Sequence, residues 1–449
     1  MSHYKPYPAY KDSGVEWIGD VPEHWPLLRL ANVGSLMKAN GGNRQDDTDN
    51  GVPCIRYGDL YTIYDLLIRH IGKFISPTAE TDYTDIKYGD ILFAASGETF
   101  EEIGKSAVNL TETYACCGGD VIVLRPQRKI DPVYLAYAAG SSSAQAQKSL
   151  MGKGFTVIHI YGNQLRNLVI AAPSEQEQKL IGAKVESETT RIDTLISKKT
   201  RFIELLQEKR SALITHAVTK GLDPNMKMKD SGVEWIGQVP EHWGVKRLRH
   251  VASFKNSNVD KKAYDDQEAV NLCNYTDVYY NEFITPDLSF MQATASAAEI
   301  EQFSLKKGDV LITKDSEDPS DIGIPSFVAE EMPGVVCGYH LTMIRGDDFD
   351  TARLLHRILQ SHPTQAHFFV EAPGITRYGL SQDAIGDLCC CLPPKMERCQ
   401  IADHLDRETT RIDALIAKTQ RSIDLLKERR STFITAAVTG QIDLRGEIA

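Results

Sequence analysis

The sequence KDSGVEWIGDVPEHW occupies residues 11–25, and it returns as KDSGVEWIGQVPEHW at residues 229–243. The two copies differ only at Asp20, which Gln238 replaces, and their starting positions give an offset of 218 (229 − 11). The segment ETTRID at residues 188–193 likewise returns at residues 408–413, with an offset of 220. A period of this length predicts two whole domains in tandem rather than a solenoid of small repeats.

Between these repeats the two halves differ in most of their side chains, although sparse positions still match. One scaffold that carries two different surfaces predicts two different ligands or two different target sequences. The matches include Tyr57 with Tyr275, Asp59 with Asp277, Gly89 and Asp90 with Gly308 and Asp309, Cys117 with Cys337, Gly154 with Gly374, and Thr156 with Thr376.

The composition is that of an ordinary soluble protein, with 25% charged and 42% hydrophobic residues in 449 positions. No run of eighteen apolar residues occurs, and the first residues lack an apolar signal region, so we expect neither a membrane span nor secretion. The nine cysteines form no CxxC pair. We therefore expect buried reduced thiols, no metal site and a cytoplasmic location.

The net charge of −11 is unusual for a free-standing nucleic-acid binder, which is ordinarily basic. Three explanations stay open. The protein does not bind nucleic acid, its basic residues are concentrated on one face, or a partner supplies the phosphate contacts.

Residues 173–217 and 393–437 are predicted to form long amphipathic helices, because apolar residues recur in both at spacings of three and four. Ser174, which is followed three positions later by a glutamate, is typical of a helix N-terminus. Gly221 and Gly440 follow the predicted helix ends.

The apolar stripes of the two helices match each other and require a partner surface. We expect the helices to pair as an antiparallel coiled coil that holds the two variable domains at its opposite ends. Homodimerisation is the alternative, which the high effective concentration within one chain disfavours. The residues assigned to the helix pair and to partner docking are Ile192, Leu195, Ile196, Phe202, Leu206, Leu213, Ile412, Leu415, Ile416, Ile423, Leu426 and Phe433.

All four tryptophans lie in the first repeat, at Trp17, Trp25, Trp235 and Trp243. They could stack on bases, but a surface that distinguishes targets should not be the part that stays identical. We therefore expect this segment to anchor each domain to the helices or to dock a common partner.

The sequence offers no credible catalytic motif. Lys105 and Ser106 follow a glycine as in a phosphate-binding loop, but the required earlier glycine is missing, because position 99 is threonine. The stretch that begins at Asp131 resembles the DPPY motif of amino-methylating enzymes but lacks its second proline, and we expect a helix start there. We accordingly expect no catalytic residues.

The doubled SGVEWIG-x-VPEHW segment, the Gly-Asp strand, the Gly-x-Thr segment and the arms that carry ETTRID resemble the specificity subunit of type I DNA restriction–modification systems. The resemblance covers about residues 10–445. It implies an α/β (α+β) chain in which two mixed α/β target recognition domains lie in tandem, separated by the long helices. The implied divisions are 1–172 and 223–392 for the recognition domains, 173–222 for the first helix, and 393–449 for the second helix with the C-terminal tail.

The resemblance also implies how such a chain works. Each domain would read one half of a bipartite asymmetric site in double-stranded DNA, and the helix pair would set the gap between the halves. Two methyltransferase subunits would dock on the helices, and motor-nuclease subunits would join for restriction. S-adenosylmethionine, ATP and Mg would belong to those partners, so this chain needs no cofactor of its own. Partners that close around the duplex would also account for the acidic net charge.

Base readout needs polar side chains on loops that reach the groove edges, and three loop groups in each domain supply them. Tyr57 and Tyr275 are equally well explained as scaffold or as DNA contacts. The candidate DNA-binding residues are Lys38, Asn43, Arg44, Tyr57, Ser96, Lys105, Lys153, Thr156 and His159 in the first domain, and Lys255, Asn256, Asn258, Lys261, Tyr275, Lys314, Ser316, Thr376, Arg377 and Tyr378 in the second. The alternatives are a tandem protein-binding adaptor, a free-standing DNA-binding scaffold, and a free-standing nuclease or methyltransferase, which the missing motifs disfavour.

Overall fold

The computed structural model describes residues 4–446, and the contacts within it divide the chain into two compact units. The first unit comprises Met1–Thr200 and Arg421–Ala449, and the second comprises Arg201–Gln420. Each unit therefore holds one variable region together with part of each long helix.

The first unit is built on two five-stranded sheets and several small ones. In the first of the two five-stranded sheets, all neighbouring strands are antiparallel except the last pair. Its strands, in spatial order, are Gly34–Lys38, Val121–Pro126, Ile91–Ala94, Ser106–Asn109 and Leu67–Ile68. The other sheet has the order Asp47–Thr48, Phe74–Ile75, Val52–Ile55, Ala115–Cys117 and Thr84–Ile86. The small sheets pair Tyr10–Asp12 with Asp20–Pro22, Leu27–Arg29 with Val169–Ala171, and Ile158–His159 with both Ser96–Gly97 and Lys153–Gly154.

The second unit repeats this architecture with different side chains. Its five-stranded sheet has the same order and the same single parallel pair, in the strands Ala252–Asn256, Leu341–Gly346, Asp309–Thr313, Pro325–Val328 and Phe283–Ile284. Its other strands are Met291–Ala295, Glu268–Cys273 and Val335–Cys337 in one sheet, and the pairs Asp315–Ser316 with Tyr378–Gly379, Met228–Asp230 with Gln238–Pro240, and Gly244–Arg247 with Cys389–Leu392. The predicted mixed α/β tandem is confirmed.

Helices cover these sheets and connect them. The first unit holds Leu30–Val33, Tyr57–Thr62, Pro132–Gly140, Ser142–Met151 and Gly162–Leu165, with the 3-10 turns Arg44–Asp46 and Pro77–Asp82. The second holds Tyr275–Tyr280, Ala297–Phe303, Phe349–Leu359, His362–Glu371 and Gln382–Gly386, with the 3-10 turns Leu248–His250 and Pro319–Asp321. The long helices are Glu175–Lys220 and Lys395–Val438, close to their predicted bounds.

An ion pair between the long helices occurs in matching form in both units. In the first unit Arg430 Nε lies 2.9 Å from Asp193 Oδ1, and in the second Arg210 Nε lies 2.9 Å from Asp413 Oδ1. Both aspartates close an ETTRID repeat, so the ion pair accounts for the repeated aspartate.

The direction of the pairing follows from a second contact in each unit. Lys184, which precedes Asp193, donates to the carbonyl of Gly446, which follows Arg430. In the second unit Gly221, which follows Arg210, lies beside Glu397, which precedes Asp413. The helical segments are therefore antiparallel within each unit.

The repeated Gly-Asp pair also has a structural explanation. Asp90 is almost wholly buried and accepts hydrogen bonds from the Arg125 guanidinium, with Arg125 Nη2 2.8 Å from Asp90 Oδ2. Asp309 is buried in the same way, and Arg345 Nε donates to it over 2.6 Å. Burial is costly for a charge unless a partner and hydrogen bonds compensate it. The two arginines share the repeat offset of 220 (345 − 125), a match that sequence analysis missed.

The second tryptophan of each repeat anchors a unit to the start of a long helix. Trp25 and Trp243 are buried, and their indole N–H groups donate to Glu177 over 3.4 Å and to Glu397 over 3.1 Å. The anchoring prediction therefore holds for these two residues. Trp17, by contrast, is 44% exposed.

Buried thiols and apolar side chains fill the interior of each unit. All nine cysteines are free, seven of them are buried, and burial raises the pKa of the Cys390 thiol. Within residues 4–446 no helix combines the length and the apolar character needed to cross a membrane. The same residues contain no group of three acidic, histidine or cysteine side chains placed to hold a metal ion.

Candidate nucleic-acid interface

A cleft of about 790 Å³ opens on the first unit. It is lined by Lys38, Arg44 and Tyr57 from the predicted set, and also by Arg56 and Lys73. Arg56 pairs with Asp47 and Lys73 with Asp59, so these two cations are already compensated. No side chain in the described part of the chain pairs with Lys38 or Arg44. Two cations that face open space without a partner suit a polyanionic ligand.

The glycines beside this cleft have a clear backbone role. Gly41 adopts φ +82°, and a Cβ at this position would lie 2.8 Å from the Tyr83 ring. Gly42 adopts φ +117° and approaches Gly119 closely. Asn43 follows and caps the short turn Arg44–Asp46, with Asn43 Oδ1 accepting from the Gln45 N–H over 3.1 Å. The predicted turn therefore projects Arg44, whereas the Asn43 side chain is partly engaged in holding that turn.

Tyr57 begins the short helix Tyr57–Thr62, and an acidic side chain closes the start of that helix. The Arg56 N–H donates to Asp59 Oδ2 over 2.8 Å. In the second unit the Asn274 N–H donates to Asp277 Oδ2 over 2.7 Å at the start of Tyr275–Tyr280. Burial raises the pKa of Asp277. The matched aspartates are therefore helix caps, and the tyrosines they position remain candidates for DNA contact.

A second cleft of about 430 Å³ adjoins the first, and both share Tyr57. Ser96 and Val157 also line it, and Ser96 Oγ lies 2.9 Å from His159 Nδ1. The side chain of Lys105 is less free than predicted, because its Nζ donates to the Tyr61 carbonyl over 3.2 Å.

A β-hairpin stands beside this cleft. Its strands Lys153–Gly154 and Ile158–His159 pair with each other, and Ser96–Gly97 pairs on the other side. Lys153 and Thr156 are exposed, as a groove-facing loop requires. Residues 96–105 and 153–159 are two of the three predicted loop groups of the first domain, and the structure brings them together.

The second unit places a matching group of polar residues beside its own hairpin. The strand Asp315–Ser316 pairs with Tyr378–Gly379, which brings three of the predicted residues together: Lys314, Ser316 and Tyr378. Lys314 Nζ lies 4.5 Å from the centroid of the Tyr339 ring.

His340 links this group to the tip of the hairpin. Its Nδ1 lies 2.9 Å from Asp315 Oδ2 and 3.2 Å from Arg377 Nη2. Thr376 is exposed next to Arg377. Asp315 and His340 are contributors that sequence analysis missed, and the strand Asp309–Thr313 that leads into Asp315 was the available signal.

Tyr275 belongs to the same region. Its ring stacks on Tyr279 with centroids 5.5 Å apart. Burial raises the pKa of Tyr275, and a hydrogen bond with Ser316 opposes that shift. The phenol therefore stays protonated and can donate a hydrogen bond at neutral pH.

The remaining predicted residues of the second unit lie on the strand Ala252–Asn256, which forms one edge of the five-stranded sheet, and on the loop after this strand. Asn256 Oδ1 accepts from Thr342 Oγ1 over 2.7 Å, and Asn258 Nδ2 donates to Glu299 over 3.0 Å. Lys255 and Lys261 are exposed, and across residues 4–446 neither ammonium group has a partner. Lys255 on the strand and Lys261 on the loop after it are therefore both cations without an ion-pair partner among the described residues.

The residues predicted for the helix pair divide into three groups by exposure. Ile192, Leu206, Ile412, Ile423 and Phe433 are buried. Ile196, Leu213, Ile416 and Leu426 are partly buried. Leu195, Phe202 and Leu415 are exposed, at 39%, 45% and 40%.

The comparisons with known proteins agree on one family. The model of the type I restriction modification DNA specificity domain matches residues 22–205. The chain is 29% identical over 245 residues to the putative type I restriction enzyme MjaX specificity subunit of Methanocaldococcus jannaschii, an alignment that covers 53% of this chain and 55% of that protein. It is 19% identical over 443 residues to the type I restriction enzyme EcoKI specificity subunit of Escherichia coli strain K12, covering 94% and 90%.

The chain thus spans about half the length of the archaeal relative and nine tenths of the bacterial one. A solved chain from a type I R-M system superposes with a TM-score of 0.71 at 16% identity, over 93% of this chain and 98% of that chain. At this identity the likeness shows that the fold is shared.

Proposed function

We infer that the chain belongs to the family of type I restriction–modification specificity subunits, and from this premise we propose that each unit reads one half of a two-part DNA site. The observation that carries the proposal is the repeated scaffold with different polar groups at matching places. Lys38 and Arg44 supply free cations in the first unit, and Lys255 and Lys261 supply them in the second. One fold with two unlike binding surfaces suits an asymmetric target.

We propose the recognition domains to be residues 1–172 and 223–392, with the helical segments 173–222 and 393–449 setting the distance between the two half-sites. Of the predicted reading residues, we assign the recognition to those that keep unused hydrogen-bonding capacity at the clefts, at the hairpins, and on the strand Ala252–Asn256 with the loop after it. They are Lys38, Arg44, Tyr57, Lys153 and Thr156 in the first domain, and Lys255, Lys261, Tyr275, Lys314, Thr376 and Arg377 in the second.

The chemistry belongs to partners. Two methyltransferase subunits supply S-adenosylmethionine chemistry, and motor-nuclease subunits supply ATP- and Mg-dependent cleavage. The complex works on double-stranded DNA in the cytoplasm, where the nine free thiols stay reduced.

Apolar side chains that are exposed at matching positions of the two units mark where two copies of the same partner subunit dock on the helices. Leu195 and Leu425 are exposed in the first unit, and their counterparts Leu415 and Leu205 are exposed in the second. Exposed Trp17 and Trp235 repeat in the same manner. Because a given partner needs the same contacts each time it binds, duplicated exposed apolar groups suit two copies of one subunit.

The proposal is tested with the assembled complex of this chain and its methyltransferase partner. Methylome sequencing of a host that carries the system should reveal one bipartite motif that disappears without this chain. Replacing residues 26–172 with another first-position recognition domain should change one half of the motif and leave the gap unchanged. Methylation of DNA by the isolated chain with S-adenosylmethionine would refute the division of labour.

A tandem protein-binding adaptor makes a different prediction. In that case the assembled complex would select no sequence from a random pool of duplexes in a gel shift. Enrichment of a two-part motif from the pool supports DNA recognition.

A further inference from the structure

Two apolar side chains are exposed almost without contact. Phe155 is 104% exposed and Ile375 is 93% exposed, the highest values of the large apolar side chains among residues 4–446. They share the repeat offset of 220 (375 − 155), and each comes immediately after a matched glycine. A side chain left in water contributes no burial free energy, so folding does not account for apolar bulk at either place.

Both residues lie at the tip of a tight β-hairpin. Gly154 adopts φ +137°, and a Cβ there would collide with the carbonyl oxygen of Val157. At Gly374 a Cβ would collide with the carbonyl oxygen of Arg377. Each glycine lets the two chain segments approach closely, which makes the hairpin a narrow ribbon with one apolar side chain at its end.

The surroundings of both tips are polar. Lys153 is exposed beside Phe155, and His159 at the base of the same hairpin contacts Ser96. Arg377 is exposed near Ile375 and reaches His340. Each hairpin tip therefore carries one apolar side chain next to a cationic one. This combination suits a ligand whose backbone is anionic and whose interior is apolar and able to stack.

We propose that each hairpin enters a groove of duplex DNA, where Phe155 and Ile375 wedge into a base-pair step of their own half-site. The major groove is wide enough for a two-stranded ribbon. Phenylalanine and isoleucine are among the side chains that proteins bound in the minor groove insert between base steps, and the insertion partly unstacks those steps. A wedge needs apolar bulk and no hydrogen bond, which explains why phenylalanine and isoleucine serve at the same position. The inference rests on the proposed function of the two units.

The test uses the assembled complex with its methyltransferase partner and duplexes that carry the motif found by methylome sequencing. 2-Aminopurine replaces one base at a time through both half-sites, since its fluorescence rises when a base unstacks. The intact complex should raise the fluorescence at a step in each half. Phe155→Ala should remove the rise in one half only and weaken binding about tenfold, the size expected for one lost stacking contact. Ile375→Ala should do the same in the other half.

Matched variants separate the possible outcomes. Phe155→Ile should keep the signal, because it installs the residue that the second unit uses. Leu150→Ala, at a side chain of the same unit that is 73% exposed, should change nothing. Two results would contradict the proposed wedge. One is unchanged fluorescence and unchanged DNA affinity in Phe155→Ala. The other is that Phe155→Ala prevents assembly with the methyltransferase subunit, which would make Phe155 a subunit contact rather than a DNA contact. If the intact complex selects no sequence at all, the proposed function fails first.

Discussion

Lys148 is a fully buried lysine of the first unit without an acidic partner among the described residues, and its replacement should stabilise the protein. The side chain is fully buried in the helix Ser142–Met151 and has no acidic partner among the described residues. Its Nζ donates to the Gly104 carbonyl over 2.8 Å and lies 5.9 Å from the centroid of the Phe93 ring. Burial lowers the pKa of Lys148 from 10.5 to about 7.

This lowered pKa fixes how stability depends on pH. The unfolded chain keeps this lysine protonated up to about pH 10.5, whereas the folded chain releases the proton above about pH 7. The unfolded state therefore binds more protons between these values, and the free energy of unfolding rises with pH across that window. The penalty is fully present below pH 7. The difference between the two pKa values corresponds to about 5 kcal/mol.

Lys148→Met removes the charge and keeps the length of the side chain. Because the hydrogen bond from the ammonium group to the Gly104 carbonyl is lost as well, and such a charged bond contributes about 1.5–3 kcal/mol, we expect a net stabilisation of about 2–4 kcal/mol at pH 6. The advantage of the variant should shrink by about 3 kcal/mol between pH 6 and pH 9.5, where the lysine of the parent is largely neutral when folded. Urea denaturation of both proteins at the two pH values measures this difference, and other titrating groups cancel in the comparison.

Lys153→Met is the matched control, since Lys153 is exposed in the same unit. It should leave stability within about 0.5 kcal/mol at both pH values. The second unit has phenylalanine, Phe368, at the position equivalent to Lys148, and this residue is also fully buried. An advantage of Lys148→Met that is equal at pH 6 and pH 9.5 would show that the ammonium group is not desolvated as described.

Three further variants test the clefts, the repeats and the buried ion pairs. Arg44→Ala in the assembled complex should weaken binding and lower the salt dependence of DNA affinity by about one phosphate contact, measured by titration at several salt concentrations. An unchanged slope and affinity would remove Arg44 from the interface. Trp17→Ala combined with Trp235→Ala should leave folding intact but weaken association with the methyltransferase partner in analytical ultracentrifugation; unaltered association would make these residues irrelevant to docking. Asp90→Asn should cost about 1.5–3 kcal/mol in calorimetry, because the Arg125 guanidinium loses its buried carboxylate and keeps only Asp85, whose Oδ2 lies 3.5 Å away. A loss below about 1 kcal/mol would contradict the role of Asp90.

The tandem fold and the long helices were predictable from the sequence because they depend on patterns with a fixed period. The repeat at Lys11 and Lys229 established the tandem, and the spacing of apolar residues placed the helix ends close to Lys220 and Val438. These signals are local or recur at a constant offset. They need no knowledge of which distant residues meet.

The buried ion pairs were not predictable in the same way. Asp90 was visible as a landmark, but its partner Arg125 lies 35 residues away on a neighbouring strand. The engagement of Lys105 with Tyr61 likewise depends on a tertiary contact. Phe155 gave no signal in the sequence, because an apolar residue in a loop segment is equally consistent with burial. Only the folded structure shows that its side chain contacts almost nothing.

Contacts at the start of each long helix determine how far one proposed recognition domain can be exchanged for another. Trp25 and Glu177 both lie outside residues 26–172, so the anchor survives a replacement of that segment. The paired strands Leu27–Arg29 and Val169–Ala171 both lie inside this segment, so a replacement exchanges both of them and keeps the pair intact. Other contacts cross the boundary, and among them the Asp131 N–H donates to Gln178 Oε1 over 2.9 Å.

The second unit makes the corresponding contact with other residues, because Arg398 Nη1 donates to Thr351 Oγ1 over 2.7 Å. Gln178 and Arg398 occupy equivalent helix positions at an offset of 220 (398 − 178). Each helix start is therefore fitted to its own domain. Moving the second domain into the first position should place Thr351 opposite Gln178 and lose that bond, whereas adding Gln178→Arg should restore it. Under the proposed function, exchange of a whole domain should therefore change the specificity without loss of stability only when the helix position fitted to that domain changes with it.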